Sequence, residues 1–313
     1  MNRKRNILTH LALKAYVASP LWPRLVDRHL SRALALFWRY KTGSTLDLDN
    51  PRTLNEKIQW LKLHGPLDHW AELTDKVTMK QLLSRQGFAD YLPATLTVWD
   101  NAGDVSFDHL PQAFVIKCSH DCGSTRLVVD QSKLSGSEKQ HITRSLRRCM
   151  KRRYGYATVE PHYLRIQPRV LAEEYIGLDD PDITAGTPPV DYKFFCFNGQ
   201  AELCLVCYDR RISRRKAVKD LYELRPWRPF REGLAPDMRQ QPFVDMAPPV
   251  QLDTMVRLAE TLSMGHPEVR VDLYCVAGRV YIGELTFTAS SGIMRSLSDE
   301  TQLRLGRLTQ ISL

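Results

Sequence analysis

Along the first 43 residues apolar side chains recur at helical spacing. Ile7, Leu8, Leu11, Ala12 and Ala15 form one stripe, Pro20 and Pro23 interrupt it, and Leu25, Leu30, Leu34, Leu36 and Phe37 form another, which predicts two helices. Residues 53–65 (TLNEKIQWLKLHG) place Thr53 and Glu56 at capping-box spacing and end on Gly65, a third helix. A fourth is predicted from Asp75 to Gln86, stopping at Gly87. The period then shortens. Residues 93–99, 112–117 and 126–129 read as strands, the last two joined by the polar loop 118–125 as a hairpin. A basic helix follows over about 137–152, and a strand over 169–176 ends at Gly177. After an acidic, proline-rich loop (178–190), the runs 191–199 and 201–208 flank Asn198-Gly199, a strong hairpin signal. Residues 209–249 read as a polar stretch rich in proline, 250–264 as a helix, and 268–274 with 279–286 as a hairpin about Ala277-Gly278. No internal repeat or low-complexity segment is present.

Composition narrows the class. In 313 residues, 43% hydrophobic and 25% charged, a disordered, collagenous or disulfide-scaffold chain is excluded, and no apolar run reaches the length needed to span a bilayer. The net charge of +9 is local: residues 1–43 hold nine lysines and arginines against one acid, Asp27, a net +8. A nucleic-acid partner argued from global charge is therefore not expected. The basic segment has two readings, a helical cap packed on the body or a basic amphipathic patch lying on an anionic membrane. Seven cysteines, an odd number, and a start interrupted by His10 and Lys14 rather than a clear secretory signal point to a reducing cytosol without a disulfide framework. Cys118 and Cys122 have no second matching pair, so structural zinc is not expected.

Three groups carry candidate chemistry. Asp272 and Glu284, on adjacent strands, bring hard oxygens together as Mg²⁺ requires; the bland alternative is a solvent-facing charged strand. Lys117 closes an apolar strand ahead of a small-residue loop that could cover phosphates with backbone N–H groups, or else it snorkels to water. Glu173-Glu174-Tyr175-Ile176 closes a strand before Gly177, where a hinge could read a nucleotide.

The order of these signals resembles the ATP-grasp superfamily, and within it the TupA-like branch named for teichuronopeptide biosynthesis. The matching segments, over about residues 50–300, are Leu54-Asn-Glu-Lys57, Thr74-Asp-Lys76, Leu110-Pro with Phe114-Val-Ile-Lys-Cys-Ser-His120, Pro168 to Ile176, Asp191 to Gly199, and Val269-Arg-Val-Asp-Leu-Tyr274 with Gly283-Glu-Leu-Thr-Phe287. The resemblance implies an α+β ATP-grasp fold, two lobes clasping ATP, behind an N-terminal helical extension. Its expected parts are a basic extension (1–50), a helical pre-grasp region (51–110), a small lobe with the phosphate flap (111–168) and a large lobe with the Mg²⁺ and substrate site (169–313).

By position, Lys76 and Lys117 look like the lysines that hold ATP phosphates, and Ser119, His120, Gly123 and Ser124 like the flap. Glu173, Glu174, Tyr175 and Ile176 resemble the adenine hinge, with Asp179 on the ribose and Lys193 at the γ-phosphate. Arg270 resembles the arginine that steadies the acyl phosphate; Asp272, Glu284 and Thr286 would hold one or two Mg²⁺ ions; Ser290, Ser291 and Gly292 look like the loop that receives the carboxylate substrate. Two departures stand out: Thr286 where many relatives have asparagine, and an acid, Asp121, within a glycine-poor flap. The resemblance implies an ATP-dependent carboxylate–amine ligase that attaches an amino acid to a uronic-acid-type carboxylate of a bacterial surface polysaccharide or its precursor, cytoplasmic and peripheral on the inner membrane face. The basic runs at 144–153 and 210–219 suit an anionic glycan. Alternatives are a kinase of a sugar hydroxyl, a glycosyltransferase of the same pathway, and a non-catalytic anionic-polymer binder.

Overall fold

The first 42 residues form three helices in the computed structural model, which describes residues 2–177, 188–208 and 217–312, with side chains from residue 10 onward. Asp179 and the run 210–216 of the second basic cluster lie outside the described residues. The helices are α1 (Asn2–Val17), α2 (Leu21–Arg28) and α3 (Leu30–Thr42), one more than the apolar pattern predicts. The extra break is His29, whose φ of −144° leaves the helix while its N–H still closes α2 on the Leu25 carbonyl at 2.8 Å. Trp22, Val26, Ala33, Leu34, Phe37 and Trp38 bury the apolar stripes of α2 and α3 against Val159 and Ile293 of the body. The Trp22 indole adds a hydrogen bond to the Tyr156 carbonyl at 2.8 Å. Among the described residues no helix is long and apolar enough to cross a membrane.

α4 (Leu54–His64) starts on the capping box read from sequence: the Glu56 N–H donates to the Thr53 hydroxyl at 3.2 Å and the Thr53 N–H to the Glu56 carboxylate at 2.9 Å. A short helix unseen in the pattern, α5 (Leu67–Thr74), leads into α6 (Lys76–Leu83), whose chain unwinds at Gly87 with φ +91°.

Two antiparallel sheets follow. The smaller has the order β1 (Thr95–Trp99), β4 (Val170–Glu174), β2 (Phe114–Cys118), β3 (Arg126–Val128). It therefore draws strands from both sides of the expected divisions at 110/111 and 168/169. α7 (Gly136–Lys151), also opened by a capping box at Ser135 and Glu138, buries Ile142 and Leu146 on this sheet. A short helix, α8 (Tyr154–Thr158), carries the chain back to β4.

The larger sheet has the order β10 (Arg279–Thr286), β9 (Val269–Val276), β5 (Asp191–Phe197), β6 (Gln200–Tyr208), β7 (Val218–Leu224), β8 (Trp227–Pro229). The last two strands fall where only a polar stretch is expected. β7 is covered on both faces, Tyr222 in one core and Leu221 in the other, with Lys219, Asp220 and Glu223 interleaved, so neither alternation nor a continuous apolar run reveals it. α9 (Leu252–Ser263), α5 and α6 cover the face bearing Phe194 and Val206. α4 and a C-terminal helix, α10 (Asp299–Leu308), cover part of the face bearing Phe195 and Leu205.

Candidate active site

The late hairpin supplies the acids. Its register pairs Ile282 with Leu273, then slips at Gly283 so that Glu284 stands opposite Asp272 and Thr286 opposite Arg270. A Cβ at Gly283 would sit 2.8 Å from the Tyr274 ring and 3.1 Å from the Asp272 carbonyl, so a side chain there would have to displace the ring. On the other side of β9, Lys193 of β5 is the register partner of Asp272. Lys193, Asp272 and Glu284 thus form one row across three strands.

Asp272 is almost fully buried, its side chain 2% exposed, while Glu284 is 37% exposed. Arg270 donates to both Asp272 oxygens, Nε at 2.6 Å and Nη2 at 2.7 Å. Lys193 bonds Asp272 and lies 2.7 Å from Asp191. Burial pushes the Asp272 carboxyl up, but the Arg270 and Lys193 charges outweigh it and hold the group well below its usual range. Burial pulls Lys193 down; Asp191 and Asp272 more than reverse this and keep it protonated. Arg270 also reaches Thr286 at 3.3 Å and Glu284 at 3.5 Å, so all the acids read from sequence at this site meet around one guanidinium.

The small sheet supplies a second cationic group. Lys117 and Lys80 both bond the Glu173 carboxylate, Lys80 at 2.6 Å, and Lys80 also donates to the Pro93 carbonyl at 2.8 Å. Burial raises the Glu173 carboxyl, yet the Lys117 and Lys80 ammonium groups overcome this and hold it at about 2. Glu173 is thus turned into its own sheet to orient two lysines, and Glu174 accepts from the Ala94 N–H at 2.9 Å. Tyr175 is buried and Ile176 half-buried beyond them.

The loop expected to be the flap, 118–125, folds inward except at its tip. Ser119 and His120 are 0% and 2% exposed; Ser119 donates its N–H to the Arg169 carbonyl at 2.8 Å and accepts from Lys76 N at 3.2 Å. Ser124 bonds the Asp121 carboxylate and accepts from the Cys118 N–H at 2.9 Å. Asp121 is therefore buried within the loop, and its carbonyl accepts from the Lys76 ammonium at 2.8 Å. Cys122 and Gly123, with φ +104°, remain at the open tip. Crowding raises the Cys122 thiol, Glu284 raises it further, and Lys76 and Arg270 pull it down. The Lys76 end of α6 is tied to the loop just before this tip through the Asp121 carbonyl.

The third region lies past β10. Ser290, Ser291 and Gly292 take φ values of +53°, +60° and +66°, three consecutive left-handed residues. Lys62 and Gln59 of α4 donate to their carbonyls, and Glu160 accepts from Thr288 and Ser291 hydroxyls. Lys62, Gln59, Glu160 and Lys80 hydrogen-bond to the candidate residues, and the sequence reading misses all four. One signal existed for Lys62: it continues the Leu54–Ile58 spacing of four, so a lysine stands where the helix calls for a core residue.

A family profile described as TupA-like ATPgrasp matches residues 56–310. A search of curated proteins finds no match. Among solved structures the chain is similar to a D-alanine–D-alanine ligase from Bacillus anthracis complexed with ATP, at 13% identity and a TM-score of 0.42, covering 76% of this chain and 66% of that one. It is also similar to the ATP-grasp ligase PsnB complexed with minimal precursor, Mg and ADP (12%, TM-score 0.38, 88% and 66%) and to the D-cycloserine synthetase DcsG (13%, TM-score 0.42, 91% and 79%). The chain thus spans 66% of the length of the first two.

Proposed function

The chain belongs to the TupA-like ATP-grasp family, and from that premise we propose that it is an ATP-dependent carboxylate–amine ligase. The observation that carries the reading is the row Lys193–Asp272–Glu284 across three adjacent strands, closed by Arg270, which donates to both Asp272 oxygens and reaches Glu284 at 3.5 Å. ATP phosphates lie between Lys76, Lys117 and the flap tip on the small-lobe side and Lys193 and Arg270 on the large-lobe side. Tyr175 and Ile176 flank the adenine.

The donor set also suits Mg²⁺. Asp272 and Glu284 offer carboxylate oxygens and Thr286 a weaker hydroxyl. Two cationic side chains already crowd Asp272, as expected of an acid built to face positive charge. Bound there with ATP, the ion supplies charge neutralisation at the transferring phosphoryl group.

An acceptor carboxylate held at Ser290, Ser291 and Gly292 bonds to the γ-phosphorus as the bond to ADP breaks, giving an acyl phosphate. An amine then bonds to the acyl carbon, the carbon–oxygen bond to phosphate breaks, and the departing phosphate takes the amine proton. Lys193 and Arg270 balance the charge that develops, and the closed flap keeps water from the acyl phosphate.

The acceptor is a uronic-acid-type carboxylate of a bacterial surface polysaccharide or its precursor, and the amine an amino acid. An anionic membrane surface beside residues 1–43 suits a lipid-linked acceptor. Lys14, Arg24, Arg28, Arg32, Arg39 and Lys41 are all exposed, and α2 and α3 pack against Ile293, next to the acceptor loop.

The test is ATP-dependent phosphate release screened across uronic acids and amino acids, with Glu284→Ala as control. Release with an amide product, reduced about 100-fold or more in the variant, is expected. Equal release in the variant overturns the metal-site assignment. A phosphorylated sugar without free phosphate overturns the ligase reading in favour of a kinase.

A further inference from the structure

α4 presents three polar side chains to a single loop. Asn55, Gln59 and Lys62 are spaced by four and three residues and share one helical face. Asn55 donates to the Met294 carbonyl at 3.2 Å and accepts from the Met294 N–H at 3.0 Å. Gln59 donates to the Gly292 carbonyl at 2.7 Å and to that of Ser291 at 3.2 Å. The Lys62 ammonium donates to the Ser291 carbonyl at 2.7 Å and to the Gln59 side-chain oxygen at 3.1 Å. Glu160, from the segment after α8, accepts from the Thr288 hydroxyl and from the Ser291 hydroxyl at 3.3 Å.

The loop needs such support. Ser290 and Ser291 occupy the left-handed region that side chains other than glycine enter at a cost. A Cβ at Gly292 would meet the Gln59 amide at 2.4 Å and Ile58 at 2.6 Å, so α4 is in close contact with the loop backbone. Hydrogen bonds alone do not explain a lysine here, since neutral Asn55 and Gln59 already serve carbonyls. Lys62 is 0% exposed, and an ammonium in that position carries a full desolvation cost. Burial draws it down to about 8, and Glu160 partly restores it.

We propose that Lys62 and Glu160 are positioning residues that hold loop 288–294 in the shape that receives the acceptor carboxylate, with the Lys62 ammonium donating to the Ser291 carbonyl behind it. The identity of the bound group rests on the ligase reading; the clamp itself does not.

Two measurements separate the two. In Lys62→Met and Glu160→Gln, amides of 289–294 should exchange hydrogen about tenfold faster than in the wild type, with the Mg·ATP Kd within about twofold. With D-glucuronate as carboxylate probe and phosphate release as readout, KM should rise about tenfold while kcat changes less than about threefold, and Lys62→Arg should recover part of the loss. A general loss of stability would instead move the Mg·ATP Kd and kcat together. If Lys62→Met fails to fold, Glu160→Gln carries both readings. Unchanged loop exchange overturns the clamp, and unchanged KM overturns its link to the acceptor. A wild-type enzyme that does not turn over glucuronate refutes the acceptor assignment while the exchange result still decides the clamp.

Discussion

Glu173 serves two lysines with one carboxylate, and its burial makes the arrangement testable. Folded, it titrates near 2, below its ordinary 4.5. Its folded pKa is depressed, so the unfolded chain takes up the proton first as pH falls. The contribution, about 3 kcal/mol from that difference, is complete above about pH 5 and disappears as the pH approaches 2. Denaturant melts across this window should show the loss in the wild type. Glu173→Gln leaves Lys80 and Lys117 buried without their acid; it should cost about 3–5 kcal/mol at pH 7 and show a flatter acid limb. Equal acid limbs would mean that the trio does not hold this carboxylate ionised. The residue scale is also where the sequence was most selective. Lys117, Asp272 and Glu284 are visible because each interrupts a strand pattern. Glu160 is invisible, because its partners Thr288 and Ser291 lie 128 and 131 residues away.

Elements announce themselves where a cap or a single buried face fixes them. Thr53/Glu56 marks the start of α4 in the sequence, and the helix is found there; α7, expected from about residue 137, starts on a capping box at Ser135 and Glu138 that the sequence reading does not use. α10 carries a similar signal, Ser298 accepting from the Thr301 N–H, and the C-terminal stretch containing it went unread. β7 and β8 were not legible, because a strand covered on both faces but carrying three charged residues matches neither strand period. Packing between elements then sets two predictions. At Gly306 of α10 a Cβ would lie 2.1 Å from the Arg52 carbonyl and 2.8 Å from the backbone of Thr53, so this glycine lets α10 seat against the start of α4. Gly306→Ala should destabilise the fold by more than about 2 kcal/mol, read as a lower Tm, despite alanine's better helix propensity. A Tm equal to or above wild type would show that the two helices separate freely. Trp22 is 1% exposed and hydrogen-bonded to Tyr156, whereas Leu11 is exposed. Trp22→Ala should cost about 3–5 kcal/mol and Leu11→Ala within about 0.5. Equal small effects would mean that α2 is not part of the core.

At the scale of the molecule, α6 joins the two sheets. Lys80 reaches Glu173 of the small sheet, the Lys76 N–H reaches the flap, and Met79 and Leu83 are buried in the core of the large sheet. The motif order in the sequence leads to the proposal that these groups share a nucleotide cleft. It could not anticipate that loop 288–294 is held by α4, by the segment after α8 and by the N-terminal helices, whose contacts span more than 200 residues in the case of Lys62 and Ser291. A ligand that touches both sides of the cleft stabilises the fold only as far as both sides hold it, by roughly 2.7 kcal/mol at a hundredfold excess over Kd. Mg·ATP should therefore raise Tm in the wild type, and Lys76→Ala and Glu284→Ala, on opposite sides, should each remove at least about half of that shift. Glu284 is partly exposed and makes only long contacts among the described residues, to Arg270 at 3.5 Å and to the Thr286 hydroxyl at 3.4 Å, so its variant should keep its ligand-free Tm within a degree or two, about what a surface substitution costs. A shift that survives either substitution intact would place the nucleotide on one lobe alone, and the acids of the late hairpin would then have no part in holding its phosphates.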